Sequence, residues 1–270
     1  MRFGNQGEPI SFGEPGKMLD GLSRDAAPEY TEYDVPVWKR ALDITCIVLS
    51  LPIVIPVFVL LALGIKCVSP GPVLFLSERV GYRGRRFICF KFRTMKVDAD
   101  CDAHRRHLAE LMRSDAPMVK MDAKGDPRLI PLGKILRASG LDELPQLLNV
   151  LGGEMSLVGP RPCLPYEFEN YLPEQRRRFG SLPGLTGLWQ VSGKNKTTFS
   201  EMIALDIDYA QKKTLWLDLK IMLKTAPAIF IQIKEARARR KEAARPQQRV
   251  VAPRRITTLE SAKPELVSSK

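Results

Sequence analysis

Residues Ile44–Ile65 read ITCIVLSLPIVIPVFVLLALGI, a run without one charged side chain. As a straight helix rising about 1.5 Å per residue it would measure roughly 33 Å, against a bilayer hydrocarbon core of about 30 Å. The run is long enough to cross a membrane. Pro52 and Pro56 fall near its middle, and each removes a helical hydrogen bond there. Lys39 and Arg40 precede the run, while Lys66, Arg79, Arg83, Arg85 and Arg86 follow it. Basic flanks favour the cytoplasm, so both ends are expected on that side, with residues 37–66 forming a re-entrant helix kinked at Pro52. A simple spanning helix and a buried core helix stay open as alternatives.

Outward from that run, the chain divides by composition. Residues 1–36 carry three basic and seven acidic side chains and no apolar run, and they read as a flexible leader. Residues 67–233 form the expected cytoplasmic unit. Residues 234–270 carry eleven basic and four acidic side chains and read as a disordered basic tail. The whole chain has a net charge of +12, which suits nucleic acid, an anionic membrane surface or phosphorylated substrates. Nucleic acid leaves the long apolar run unexplained, and the core lacks the aromatic-interleaved basic platform of single-strand binders. The five cysteines are scattered without a CxxC pair, which argues against a disulfide framework or a zinc site and fits a reducing compartment.

Two short extended runs, PVLFLSERV and RRFICFKFRTM, flank Gly81-Tyr82-Arg83-Gly84 and predict a β-hairpin within residues 73–95. Lys91 and Arg93 alternate along its second strand and are expected on one face, as a source of positive charge or as a solvated basic edge. Residues 96–124 are polar and helix-prone. Their Asp98, Asp100, Cys101, Asp102, His104 and His107 have spacings that suggest metal ligands, yet no apolar shell surrounds them and a solvated helix is the better reading. Leu215–Ile233 mixes Trp216, Leu223 and Phe230 with Lys220 and Lys224, a pattern that suits either a headgroup-level helix or ordinary core packing.

The chemistry concentrates after Asp126, in DPRLIPLGKILRASGLDELPQLLNVLGGEMSLVGPRP. Pro145 suits a first helical turn, which would place Asp142 and Glu143 just ahead of a helix N-terminus that stabilises carboxylates and attracts phosphate. An acidic pair before proline also starts many ordinary helices. Here Arg137 precedes the pair, and Arg161 follows between two prolines that would hold its guanidinium in a stiff turn, as a phosphate contact requires. Phosphoryl chemistry needs a nucleophile, a divalent ion and cations around the transferring group, and this set offers all three.

LDELPQLLNVLGGEMSLVGPRP, together with KRALDI, KFRTM and PGLTGLWQVSGKN, resembles the bacterial sugar transferase family of monotopic phosphoglycosyl transferases over roughly residues 38–233. Several motifs in family order are more specific than any one alone. The resemblance implies an α+β protein: a re-entrant kinked membrane helix, a small β-hairpin and a mostly helical cytoplasmic catalytic domain. It also implies transfer of hexose-1-phosphate from a UDP-sugar to undecaprenyl phosphate at the cytoplasmic leaflet of the inner membrane, initiating a surface glycan such as exopolysaccharide.

By position, Asp142 is then the nucleophile that forms a covalent phosphosugar. Glu143 is its partner through Mg2+ coordination or proton handling, so both carboxylates are expected metal ligands. Arg137, Arg161, Lys91, Arg93, Gln190 and Lys194 are the expected substrate or phosphate contacts. Without a multi-helix N-terminal module the chain resembles the compact, exopolysaccharide-initiating members. GLWQVSG leans toward glucose or galactose over di-N-acetylated sugars, though a core tryptophan after a turn accounts for it too. A homodimer and a non-catalytic membrane scaffold both stay open. Two positions depart from the family pattern: Leu51 rather than serine precedes Pro52, and Gly193-Lys194-Asn195 stands where many members have GRN. Lysine keeps the charge but loses the planar fork of arginine.

Overall fold

The computed structural model describes residues 34–96, 102–114, 116–118, 126, 128–193 and 196–243. It begins with helix α1, Val37–Val68, which holds Pro52 and Pro56 inside it. The helix is not broken into two at Pro52, because helical bonding resumes on both sides of each proline. Lys39, Asp43, Ile47 and Leu51, spaced four apart, form the stripe that packs inward from its first half. Phe58, Leu61, Ala62 and Ile65 do the same in its second half. Between them Leu49, Ile53, Leu60 and Leu63 stand exposed, an apolar surface that water would not favour.

The hairpin forms as expected: β1, Leu74–Val80, pairs antiparallel with β2, Arg86–Phe92, around a 3-10 turn Tyr82–Gly84 in which Arg83 is left-handed. Helix α2, Asp102–Arg113, occupies part of the polar segment. Of the metal-like cluster there, Asp98, Asp100 and Cys101 lie outside the described residues. Helix α3, Gly133–Ser139, leads into a 3-10 turn Leu141–Gln146 and then helix α4, Leu147–Gly152.

A second sheet was not foreseen. Strand β3, Ser156–Val158, pairs in parallel with β4, Gly184–Thr186, across the short helix α5, Pro165–Glu169, and a 3-10 turn Gln175–Gly180. Three-residue strands leave no alternation to read. Their pairing depends on backbone approach instead: a Cβ at Gly159 would lie 2.1 Å from the Leu182 carbonyl oxygen, and one at Gly184 2.1 Å from the Gly159 nitrogen. The described residues close with α6, Leu188–Val191, α7, Phe199–Lys212, and α8, Leu215–Ala243. Helix α8 runs ten residues past the boundary read at 233, so residues 234–243 are helical rather than part of a disordered tail. Its alanines and charged residues are good helix formers, which composition-based reading took for tail. The mixed α and β architecture agrees with the expected class.

Both ends of α1 enter the core of the same domain. Ile47 packs with Phe87, Cys89, Val150 and Met155, and Ile65 packs with Phe92, Ile130 and Leu136. The N-terminal end is also fixed by polar groups. The ammonium of Lys39, 1% exposed, donates to the Val158 carbonyl at 2.7 Å, the Tyr209 hydroxyl at 2.8 Å and Asp218 Oδ2 at 2.6 Å. All three of its protons are used. One turn on, Asp43 Oδ1 accepts from Ser156 Oγ and from the Leu157 amide, both at 2.9 Å.

Candidate active site

The carboxylate pair is placed by a change of helix type. Helix α3 ends at Gly140, whose left-handed φ of 75° turns the chain, a conformation glycine adopts without the Cβ penalty. The Glu143 amide then donates to the Gly140 carbonyl at 3.1 Å, closing the 3-10 turn. Asp142 and Glu143 occupy the first turn of that segment, ahead of the α-helix that starts at Leu147. Pro145 sits inside the same 3-10 segment and, lacking an amide proton, makes no i→i−3 bond there.

Strand β2 supplies the cation. Lys91 Nζ donates to Glu143 Oε1 at 2.8 Å, with the two side chains 23% and 38% exposed. Asn149 holds strand and turn together: its Oδ1 accepts from the Phe90 amide at 3.1 Å, and its Nδ2 donates to the Ile88 carbonyl and to Glu154 Oε2, each at 2.6 Å. Bonds to two residues of one strand leave little freedom to slide, so the lysine keeps its height relative to the carboxylates. Arg137, in the last turn of α3, is half-buried and its charge acts on Asp126. The Asp126 carboxyl lies below its ordinary range, chiefly through the hydrogen bonds from Arg128, with Arg137 adding to the effect.

The other expected contacts are engaged elsewhere. The guanidinium of Arg93, expected beside Lys91, donates to the Pro72 carbonyl at 2.6 Å and to Ser69 Oγ and O at 2.9 and 3.0 Å. It lies just beyond β2 and fastens the exit of α1. Arg161 forms a two-pronged pair with the buried Glu167, at 2.9 and 3.4 Å. Burial is the largest influence on the Glu167 carboxyl and would raise it, but the charge and hydrogen bonds of Arg161, the charge of Arg79 and the Leu164 amide together outweigh it and hold the group below its ordinary value. Gln190 donates to the Leu185 carbonyl at 3.0 Å from α6. Lys194 lies outside the described residues. The structure therefore brings Lys91 to Glu143, lets the Arg137 charge act on Asp126, and pairs Arg93, Arg161 and Gln190 with protein partners.

Several polar residues were missed. Arg178 donates to the Tyr171 hydroxyl at 2.5 Å and to the Arg161 carbonyl at 2.8 Å, and pairs with Asp206. Asn149 had a signal in the sequence, an amide alone among apolar residues in LLNVLG. The Lys39–Asp218 pair had none, its members being 179 residues apart.

The bacterial sugar transferase family matches residues 35–232, and the chain belongs to that family. It is 43% identical over 230 residues to the UDP-glucose:undecaprenyl-phosphate glucose-1-phosphate transferase of Caulobacter vibrioides, covering 82% of this chain and 79% of that one. It is 39% identical over 198 residues to the exopolysaccharide production protein ExoY of Sinorhizobium fredii, covering 72% and 85%. Against the galactosyl transferase CpsE of Streptococcus agalactiae the identity is 40% over 204 residues, 75% of this chain but only 44% of the relative.

Proposed function

We propose that this protein transfers hexose-1-phosphate from a UDP-sugar to undecaprenyl phosphate at the cytoplasmic leaflet, initiating exopolysaccharide or a related surface glycan. The observation that carries the reading is the Asp142–Glu143 pair held against Lys91 on a domain into which both ends of an apolar helix are packed. The names of relatives from Caulobacter and Salmonella, which specify glucose and galactose on undecaprenyl phosphate, favour a neutral hexose.

In the first step a carboxylate oxygen of Asp142 attacks the phosphorus that bears the sugar. The bond from that phosphorus to the bridging oxygen breaks, and UMP leaves with the electron pair. The product is an acyl phosphate on Asp142. In the second step an oxygen of undecaprenyl phosphate attacks the same phosphorus, the acyl bond breaks, and the Asp142 carboxylate is regenerated. Lys91 keeps Glu143 turned toward the strand and places positive charge beside the reacting phosphate.

Two adjacent carboxylates are hard oxygen donors too few to enclose an ion, which suits Mg2+ shared with substrate phosphate and water. Held by Asp142 and Glu143, the ion would offset diphosphate charge as the leaving group departs.

The membrane course follows from α1. A spanning helix would carry one end across the bilayer, beyond reach of the domain that holds the other, whereas Ile47 and Ile65 are both buried in that domain. This supports a re-entrant helix, with Leu49, Ile53, Leu60 and Leu63 facing lipid. Cysteine labels introduced before Trp38 and after Lys66 are then both protected from a periplasm-only reagent, and labelling of a single end would mean a spanning helix. The activity is tested by UMP release from a panel of UDP-sugars in membranes containing undecaprenyl phosphate. Release by the parent and not by Asp142→Asn is expected, and a parent that releases UMP from none of them overturns the assignment.

A further inference from the structure

The first two turns of α1 carry Lys39, Arg40 and Asp43, and all three hold residues of the stretch 150–158. Lys39 takes the Val158 carbonyl, and Asp43 takes the Ser156 hydroxyl and the Leu157 amide. Arg40 reaches the part of that stretch nearest the carboxylate pair. Its Nη1 donates to the Val150 carbonyl at 2.5 Å and its Nη2 to the Leu151 carbonyl at 3.1 Å. Both carbonyls belong to the last turn of α4, which ends at Gly153 in a left-handed conformation with φ 83°. Carbonyls at a helix C-terminus lack intrahelical donors, and a cation there also meets the negative end of the helix dipole. Read from sequence as a basic flank of the apolar run, Arg40 turns its guanidinium onto α4.

Helix α4 is one side of a closed circuit. Glu143 lies in the 3-10 turn that runs directly into α4 at Leu147. Asn149, inside α4, holds the edge of β2 through the Phe90 amide and the Ile88 carbonyl. Lys91, next along β2, returns to Glu143 at 2.8 Å. Arg40 fastens this circuit to α1 through the two residues that follow Asn149. A slip of α4 by one residue along its axis would move it about 1.5 Å, enough to part Lys91 from Glu143. Misplacement of a reacting group by about 1 Å can cost on the order of 10²-fold in rate.

We infer that Arg40 is a positioning residue of the reaction: by capping α4 it sets Glu143 against Lys91 at a fixed place relative to the membrane helix, without touching substrate itself. The inference rests on the nucleotide-sugar reading above and gives the start of α1 a task besides anchorage. The planar fork matters here, because two parallel bonds to successive carbonyls fix an orientation that the point charge of a lysine does not.

The test uses the full chain in lipid nanodiscs containing undecaprenyl phosphate. Arg40→Gln and Arg40→Lys are made in the parent and in Lys91→Met, and kcat and KM for UMP release are measured with the UDP-sugar that the parent turns over. In the parent background Arg40→Gln is expected to lower kcat by about 10–100-fold with KM changed by less than about threefold, and Arg40→Lys to keep part of the rate. In the Lys91→Met background the same glutamine substitution is expected to cost less than about threefold, because the contact that Arg40 aligns is already gone. Equal losses in the two backgrounds mark a general structural role and overturn the inference. So does a parent-like kcat in Arg40→Gln, or a rise confined to KM, which would mean direct substrate binding. Hydrogen exchange at the Phe90 amide needs no turnover: Arg40→Gln is expected to speed it at least about tenfold, and an unchanged rate overturns the inference even where the parent releases no UMP. Failure of the general function and failure of this assignment are thereby told apart. Should the glutamine variant fail to fold, the lysine variant is carried through the same cycle and the same exchange measurement, and is judged by the same outcomes.

Discussion

Two lysine–carboxylate pairs of nearly equal length do different work in this molecule. Lys39 and Asp218 meet at 2.6 Å with both side chains 1% exposed, whereas Lys91 and Glu143 meet at 2.8 Å with both partly open to solvent. The first pair has every proton of its ammonium assigned, to a carboxylate, a hydroxyl and a backbone carbonyl. It is a lock. The second is reached by solvent on both partners. Burial, more than distance, separates an ion pair that fixes architecture from one that stays open to a substrate.

The contrast can be broken from the reactive side first. Asp142→Asn is expected to lower UMP release by on the order of 10⁴-fold or more, with the melting temperature and membrane association unchanged. Undiminished turnover removes Asp142 from the mechanism. From the architectural side, Lys39→Met leaves Asp218 buried and unpaired, and an unfolding free-energy loss of about 3–5 kcal/mol is expected in denaturant titrations in detergent. A loss below about 1 kcal/mol would show that the buried pair is no lock. Lys91→Met sharpens the comparison: turnover should fall by about 10²–10³-fold while stability changes by less than about 1 kcal/mol. If stability falls as far as in Lys39→Met, the two pairs are the same kind of contact.

The smallest effect concerns acid. The Glu167 carboxyl is held below its ordinary value of 4.5, the large upward effect of burial being overcome by Arg161, Arg79 and the Leu164 amide together. A depressed folded value means the contribution is complete above about pH 4.5 and is lost as pH falls below that, through the folded value. Urea midpoints should therefore drop below pH 4.5 in the parent, and Glu167→Gln should flatten that drop while being less stable near neutrality.

Legibility in the sequence followed the range of the interactions. The apolar helix, the hairpin with its Gly81–Gly84 turn, and the DELP motif are local patterns of composition or spacing, and they stand in the fold close to where they were read. Pro52 was expected to kink α1, and the helix runs continuously through it from Val37 to Val68. Arg93, Arg161 and Gln190 were expected as phosphate or substrate contacts, and their protein partners Ser69, Glu167 and Leu185 are set by chain folding that spacing does not encode. The β3–β4 pairing was invisible because its strands are three residues long and depend on bare backbone at Gly159 and Gly184.

The Lys39–Asp218 contact also sets an order of events during synthesis. Asp218 leaves the ribosome 179 residues after Lys39, a delay of roughly 9–36 s at about 5–20 residues per second. For most of that time the apolar helix has been made and its lysine has no acid to meet, so the contact that fastens its start is completed only near the end of the described chain.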